Sequence, residues 1–304
     1  MRALAAAGLL CGLAGCDGVK FGVGNASAPP GSDERAALDT LAQRSLPLPD
    51  CRGADDLAEL GQVFVFSLDT ASLVDGNLSG PQPEHVVRQG VAALCMDGQG
   101  AVAQFLTCAL VRTPVEDPSG DCAALLPSVA VLAGLPPAFL TGGLDPAEPE
   151  STLVLQGFDE RWGLSSEQVE LPAVAPEDPT TLAGLVDADD DGDPGVTLSG
   201  DGEVPTQIWA VRRTQANLVL RDAGGGVLRG ISIAATQELV LGGPAARAVG
   251  SRTYTDARAD VTLVRTDGLG GSPRADANRD GVITCAEGSK YFGRLPALPT
   301  SRCP

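Results

Sequence analysis

The chain has 304 residues, a formal net charge of −18 and a hydrophobic fraction of 43%. This length is sufficient for one large β domain or two ordinary domains with well-filled cores. A surface this acidic repels phosphate backbones and anionic headgroups, so we expect no nucleic-acid partner. Divalent cations are its natural counter-ions.

An apolar run opens the chain. Residues 3–10 are apolar and follow Arg2, a pattern that is typical of an export signal and too short to span a bilayer. Residues 13–16 read LAGC and resemble the lipobox of bacterial lipoproteins. The resemblance implies cleavage before Cys16, a diacylglycerol on its thiol and a membrane anchor at the bacterial cell envelope. Asp17 is similar to an inner-membrane retention signal, but that sorting rule varies among bacteria, so the outer membrane and the periplasmic face both stay open.

Composition divides the chain into four segments. Residues 1–15 form the expected signal peptide. Residues 16–49 are rich in Gly, Ala, Ser and Pro, and they predict a lipidated N-terminus and a flexible tether that spans about 30 Å. Residues 50–270 predict a β-rich domain, with a candidate boundary near residue 178. Residues 271–304 predict a calcium loop and a disulfide-tied C-terminus.

Six cysteines remain once the leader and the lipidated residue are set aside. They are Cys51, Cys95, Cys108, Cys122, Cys285 and Cys303. In an exported chain an even number predicts three disulfides, although sequence alone cannot choose the pairing. The preferred pair is Cys285 with Cys303, and the other four are expected to pair within the N-terminal half. A zinc site is disfavoured because no C-x-x-C pair exists and His85 is the only histidine.

Short β-branched and aromatic runs predict strands along the chain. They cover residues 62–68, 91–96, 152–155, 168–171, 206–214, 217–221, 227–233, 238–241 and 260–265. Residues 101–111 and 122–135 fit either a strand or a helix, because their apolar residues also share a helical face. Frequent short strands without long helical patterns favour a mainly β fold. We expect an antiparallel sandwich or barrel with a few short helices and calcium-binding loops.

The strongest chemical pattern is at residues 276–287. Calcium prefers oxygen ligands, and a twelve-residue loop of the EF-hand type supplies them from positions one, three, five, seven, nine and twelve, with glycine at six. These positions hold Asp276, Asn278, Asp280, the carbonyl of Val282, Thr284 and Glu287. Over these residues the loop resembles EF-hand and dockerin modules, which implies a Ca²⁺ site. Ile283 is expected in the core behind the loop. The glycine-rich residues 266–274 predict no entering helix.

Another acidic loop, earlier in the chain at residues 187–198, repeats the D-x-D-x-D-G spacing. Its carboxylates are those of Asp187, Asp189, Asp191 and Asp193. Carboxylates this close repel one another unless a cation lies among them, so we predict Ca²⁺ here too. Position twelve is Leu198, which cannot coordinate, and Asp201 or Glu203 are alternative closing ligands. The loop resembles thrombospondin type 3 calcium loops. Residues 186–233 are similar to uncharacterised exported lipoproteins of myxobacteria and related high-GC bacteria, which implies a location and a fold only.

Catalytic patterns are weak in this sequence. No G-x-S-x-G elbow is present, and His85 falls in a proline-flanked polar stretch that predicts an exposed loop. Asp159 and Glu160 beside Trp162 are weak grounds for a glycosidase. The sequence predicts a lipid-anchored, calcium-stabilised envelope protein with a structural or binding role and no catalytic residues. The alternatives are a barrel that binds a small apolar ligand or a partner protein and, with less support, a secreted hydrolase.

Overall fold

The structure is a computed structural model that describes residues 32–47, 62–75, 81–97, 100–116, 122–148, 152–165, 171–200, 207–246 and 253–299. It is mainly β, as the sequence predicts. The strands in chain order are β1 (Ser45–Pro47), β2 (Gln62–Asp75), β3 (Gln82–Asp97), β4 (Gly100–Arg112), β5 (Val115–Glu116), β6 (Cys122–Ala123), β7 (Leu125–Pro127), β8 (Ala138–Leu144), β9 (Thr152–Trp162), β10 (Val196–Gly200), β11 (Gln207–Asp222), β12 (Val227–Gly242), β13 (Thr253–Arg265) and β14 (Val282–Thr284). The described α-helices are α1 (Ser32–Gln43), α2 (Val129–Gly134) and α3 (Cys285–Ser289), and short 3₁₀ helices lie at Pro179–Thr181 and Phe292–Arg294. None of them has the length and hydropathy of a membrane span.

Eight of these strands form a closed antiparallel barrel. Each pairs with its neighbours in the order β2-β3-β4-β8-β9-β11-β12-β13, and β13 returns to pair with β2. Each of the eight strands therefore has a paired neighbour on both sides over at least part of its length. Of the two architectures that the sequence allows, the protein therefore adopts the barrel. Strands β10 and β7 extend the sheet beside β11.

The barrel spans the candidate boundary near residue 178. Strand β9 precedes that residue and β11 follows it, yet the two pair antiparallel from Trp162–Arg212 to Thr152–Arg221. Residues 101–111 belong to a strand, whereas 122–135 divide into β6, β7 and α2. The short strands predicted in the second half merge, because the alternation of buried and exposed residues continues through β11 and β12. Residues 168–170 lie outside the described residues.

The predicted tether extends too far along the chain. Residues 1–31, with Cys16, lie outside the described residues, but residues 32–47 form α1 and β1. Leu41 on α1 is buried at 1% exposure in a cluster with Leu132 of α2. Strand β1 pairs with β14, with Leu46 opposite Ile283. The folded part of the protein therefore includes Ser32–Gln43 and β1, although their composition resembles a linker.

Apolar side chains fill one half of the barrel interior. Phe66 and Phe105 meet edge to face with ring centroids 4.9 Å apart, and Phe64 and Phe158 pack in the same buried cluster. Strands β8 and β9 approach each other closely at Gly142. A Cβ atom at Gly142 would lie 1.8 Å from the carbonyl oxygen of Val154, so only glycine fits at this position.

A disulfide joins Cys108 on β4 to Cys285 at the start of α3. The predicted pair Cys285–Cys303 is therefore wrong, and so is the expectation that Cys108 pairs within the N-terminal half. A β-bulge explains the position of Cys108: Gly90 pairs with Thr107 and Gln89 with Ala109, which leaves Cys108 as the extra residue. Its sulfur joins an outer apolar cluster against which the C-terminal segment packs. Cys95 is disulfide-bonded as well.

Candidate metal centres and the charged barrel interior

The first acidic loop, residues 187–198, brings three carboxylates together. One oxygen each from Asp187, Asp189 and Asp191 lies within 4.8 Å of the others. The backbone N–H of Gly192 donates to Asp187 at 2.9 Å, and that of Thr197 donates to Asp189 at 3.0 Å. The Thr197 hydroxyl donates to Asp191 at 2.5 Å. The turn is thus held by the same side chains that present the oxygen cluster.

Asp189 is the electrostatically perturbed member of this cluster. Its pKa is raised to about 6, chiefly by burial and also by the charges of Asp191 and Asp187, while a hydrogen bond from the Thr197 backbone N–H opposes the shift. Its Oδ1 atom is buried and has no hydrogen-bond partner. A buried carboxylate oxygen without a partner is costly, and a cation among the three carboxylates would remove that cost. The donor set fits a hard divalent cation such as Ca²⁺.

The remaining predicted ligands of the first loop do not join this group. Asp193 donates its backbone N–H to Asp191 at 2.9 Å, and its carboxylate is not one of the three that converge. Leu198 is fully buried in β10, between β11 and β7. The alternative closing ligands Asp201 and Glu203 lie outside the described residues.

The second acidic loop, residues 276–287, begins with a buried acid. Asp276 is 6% exposed, and its Oδ1 atom has no hydrogen-bond partner. The Asn278 amide donates to Asp280 at 2.8 Å, and the backbone N–H of Val282 donates to the same carboxylate at 3.0 Å. A nearly buried carboxylate oxygen without a hydrogen-bond partner is the feature expected of a cation ligand. This donor set too fits a hard cation.

The C-terminal half of this loop forms a strand and a capped helix. Ile283 lies in β14 at 3% exposure, which confirms its predicted place in the core. Thr284 caps α3 and accepts the N–H of Glu287 at 3.1 Å. In return Glu287 Oε2 accepts the N–H and the hydroxyl of Thr284, both at 3.0 Å. These two predicted ligands therefore form a capping box with each other. Within the described residues, only the first loop brings three acidic groups within 4.8 Å.

The two loops share one backbone turn. Position four has a positive φ in both, 56° at Asp190 and 61° at Arg279, and these are the two non-glycine residues with positive φ in the described chain. Position six also has a positive φ in both, 90° at Gly192 and 83° at Gly281. Glycine adopts this left-handed conformation without a steric penalty, which explains its place in the pattern.

A charged network that was not predicted lies inside the other half of the barrel. It consists of Arg88, Arg112, Arg212, Glu84, Glu160 and Glu238. Arg88 Nε donates to Glu160 at 2.7 Å. Arg112 donates to Glu84 at 2.9 Å and to Glu238 at 3.0 Å, and Arg212 also donates to Glu238 at 2.9 Å. The charges are paired three against three, as burial of this many ions requires.

Burial and pairing compete within this network. Burial lowers the pKa of Arg88. For Arg112 burial acts in the same direction, but the carboxylates of Glu238 and Glu84 outweigh it and raise the pKa. Alternation along the strands could have indicated these residues, because Arg88 shares the face of β3 that carries Ala92, a residue of the apolar interior.

The weak catalytic candidates are separated in the structure. His85 lies in β3 rather than in a loop, and its Nδ1 atom is 2.9 Å from a carboxylate oxygen of Asp69. Near the surface, the Asp159 carboxylate accepts hydrogen bonds from the guanidinium groups of Arg213 at 2.9 Å and Arg161 at 2.7 Å. Glu160 instead faces the interior, where the Trp162 indole N–H donates to it at 3.1 Å. Neighbouring residues of a strand point to opposite faces, so Asp159 and Glu160 do not share a cleft.

An open groove lies on the barrel wall between β11 and β12. Backbone pairing between these two strands stops at Ala216–Ala234 and resumes at Leu220–Gly230. The groove has a volume of about 1000 Å³, and its lining includes Val219, Ile231 and Ile233. Ile231 is 56% exposed and Ile233 is 85% exposed. Exposed aliphatic side chains this close together are typical of a binding surface.

No family model matches the chain, and no curated protein matches it significantly.

Proposed function

We propose that this protein is a calcium-stabilised barrel, lipid-anchored through Cys16 at the bacterial cell envelope, with a structural or binding role. One observation carries the calcium proposal: each acidic loop contains a buried carboxylate oxygen without a partner, Oδ1 of Asp189 and Oδ1 of Asp276. The loops differ in sequence outside the shared turn, yet both leave the same kind of oxygen unsatisfied. Calcium is the cation that this all-oxygen donor set prefers.

The two loops would hold Ca²⁺ with different ligands. In the first, Asp187, Asp189 and Asp191 supply carboxylate oxygens from one turn. In the second, Asp276 and Asp280 supply carboxylates, and Asn278 and the carbonyl of Val282 are neutral oxygens. Thr284 and Glu287 set where α3 begins and would complete the site. Dissociation constants of extracellular calcium modules lie at about 10⁻⁴ to 10⁻³ M, so both ions would stay bound outside the cell.

Titration calorimetry with calcium chloride tests this proposal. We expect two sites in the wild type and one site in each of the variants Asp189→Asn and Asp276→Asn. The control is Asp222→Asn, because Asp222 accepts one backbone N–H, from Gly224 at 2.7 Å, in an exposed acidic turn outside both loops. Absence of heat at millimolar calcium in the wild type would refute the calcium proposal.

The anchor is tested separately in the native host. Wild-type protein should partition into a detergent phase, and the variant Cys16→Ser should stay in the aqueous phase or keep its leader. Equal partitioning of the two proteins would exclude acylation at Cys16. Ala14→Ser, which keeps a small residue in the lipobox, serves as the control and should partition like the wild type.

A binding role at the outer wall is the second candidate. The apolar half of the interior is filled by aromatic and aliphatic side chains, which counts against a ligand cup inside the barrel. The groove between β11 and β12 instead exposes Ile231 and Ile233. A fluorescent apolar dye should bind the wild type and lose affinity in Ile233→Asp. It should keep its affinity in Val102→Asp, which alters a residue of β4 that is 42% exposed.

A further inference from the structure

A disulfide is built into the second acidic loop. Cys285 is the tenth of its twelve residues and directly follows Thr284, a predicted ligand. Its bond to Cys108 spans 177 residues of sequence and fixes the loop to the barrel wall. Cys108 is fully buried and Cys285 is 3% exposed. A reductant in solution therefore reaches this disulfide only after the loop moves away from the wall.

The segment that would have to move is residues 275–295, here named the strap. It covers an apolar part of the outer wall that includes Val65, Val91 and Leu106. The contact is close: a Cβ atom at Gly288 would lie 2.2 Å from Cγ1 of Val91. The N–H of Cys285 also donates to the carbonyl of Arg44 at 2.8 Å. Lifting the strap exposes this apolar surface to water, which is unfavourable.

The metal ligands begin at the other end of the same loop. The backbone N–H of Ala275 donates to the carbonyl of Thr266 at 2.8 Å, and this hydrogen bond fixes the start of the strap beside β13. Asp276 follows, with its buried orphan oxygen. The loop is thus attached to the barrel at both ends. The Ala275 backbone hydrogen bond precedes the first predicted ligand, Asp276, and the Cys285 disulfide precedes the last, Glu287. A cation that joins Asp276 to Glu287 would bridge these two attachments.

We propose that Ca²⁺ in the second loop and the Cys108–Cys285 disulfide stabilise each other. Calcium shields the disulfide from reductants, and reduction weakens the binding of calcium by that loop. The proposal rests on the calcium site proposed above. At equilibrium these effects are reciprocal: calcium disfavours reduction by the same coupling free energy by which reduction disfavours calcium binding. The first acidic loop contains no cysteine and supplies an internal control.

The chemistry is thiol–disulfide exchange with dithiothreitol as the added reductant. One of its thiolates attacks a sulfur of the Cys108–Cys285 bond and forms a mixed disulfide, while the other cysteine leaves as a thiolate. The second thiol of dithiothreitol then closes the ring and displaces the remaining cysteine thiolate. Two electrons reduce the protein disulfide, dithiothreitol is oxidised to its cyclic disulfide, and both cysteines take up a proton.

The decisive measurement is the rate at which the Cys108 and Cys285 thiols appear, followed by alkylation and peptide mapping. We expect about tenfold slower reduction of the wild type in millimolar calcium than in chelator, because a bound ion would keep the strap on the barrel wall for more of the time. Asp276→Asn should lose this protection, whereas Asp189→Asn should keep it. Equal rates with and without calcium in the wild type would overturn the proposal.

The reciprocal measurement is calorimetry on the double variant Cys108→Ser, Cys285→Ser. One of the two calcium sites should weaken about tenfold while the other keeps its affinity, and unchanged affinity at both sites would overturn the coupling. Wild-type protein with this bond reduced provides the same test if the double variant fails to fold. A failure of coupling is distinguishable from a failure of the proposed function. In the first case oxidised protein still binds two calcium ions, and in the second it binds none.

Discussion

The two acidic loops share a turn and differ in everything around it. Positions four and six have positive φ in both, and each loop contains an orphan carboxylate oxygen. The first loop is exposed at Asp187 and Asp191 and leads into β10. The second is tied to the barrel by a disulfide, a strand pair with β1 and a capped helix. The spacing of acids and glycine therefore determines the turn, while the surrounding fold determines how firmly the turn is held.

This difference predicts unequal dependence on the metal. In the first loop the three converging carboxylates repel one another, so we expect its conformation to depend on a cation. In the second loop the covalent and apolar attachments hold the turn, so we expect a cation to add less to its stability. Variants that act on the attachments and variants that act on the turn should separate these contributions.

The largest expected effect is at Gly288, where the strap meets the barrel wall. Gly288→Val places atoms inside the van der Waals radius of Val91, and overpacking of this kind costs about 2 kcal/mol. The free energy of unfolding from urea titration should fall by this amount in chelator as well as in calcium. Gly293→Val is the control, because no atom lies within 4 Å of a Cβ built there. If both variants unfold like the wild type, the strap does not pack as described.

The pKa of Asp189 predicts a pH dependence for the first loop. Burial raises this pKa to about 6, so a proton competes with the cation below that pH. Calorimetry on Asp276→Asn, which reports the first loop alone, should show about tenfold weaker calcium binding at pH 5 than at pH 7. An affinity that does not change with pH would contradict the burial of Asp189.

In the metal-free protein, acidification should increase folding stability, whereas it weakens calcium binding. A carboxyl group whose pKa is higher in the folded than in the unfolded chain destabilises the fold once pH exceeds the unfolded value of about 4. As the pH falls from above 6 towards 4, protonation of Asp189 should therefore increase the free energy of unfolding measured in chelator. Asp189→Asn removes this pH dependence and serves as the control in the same urea titration.

The shared turn predicts equal effects at its two glycines. Gly192→Ala and Gly281→Ala each force an L-residue into positive φ, at a cost of about 1 kcal/mol. Urea titration in chelator should give similar losses for the two variants. Gly134→Ala is the control, because its φ is not in the left-handed region and no atom lies within 4 Å of the added Cβ. A loss at one loop only would show that the turns are not equivalent.

The smallest expected effect concerns the capping box of the second loop. Glu287→Ala removes the bonds to the N–H and hydroxyl of Thr284, which costs about 0.5 kcal/mol in chelator. Glu287→Gln keeps the cap but loses the charge, so it should match the wild type in chelator and show weaker binding of calcium. If Glu287→Gln binds calcium like the wild type, Glu287 is not a ligand.

Local sequence patterns predicted the local features of the structure. Alternating apolar residues predicted β strands, the acidic spacing predicted two turns with glycine at position six, and Ile283 was placed in the core. Each of these depends on residues within a few positions of one another. Closure of the barrel was only one of two expected outcomes, because it depends on the pairing of β13 with β2 across the whole domain.

Features set by distant contacts were missed or wrong. Cys285 was assigned to Cys303 because they are near in sequence, but a bulge on β4 brings Cys108 to it from 177 residues away. The buried network was missed because a charged residue in a strand usually faces solvent. Arg88 and Glu160 become compatible with the interior only once β3 and β9 place them 2.7 Å apart.

The most direct test of calcium as a structural ligand is thermal unfolding of the intact wild-type protein in chelator and in millimolar calcium chloride. Ligand that binds the folded state alone stabilises it by about 1.4 kcal/mol per site at ten times its dissociation constant. Two sites should therefore raise the melting temperature by several degrees, and magnesium at the same concentration should raise it less. Identical melting temperatures in chelator and calcium would contradict the account.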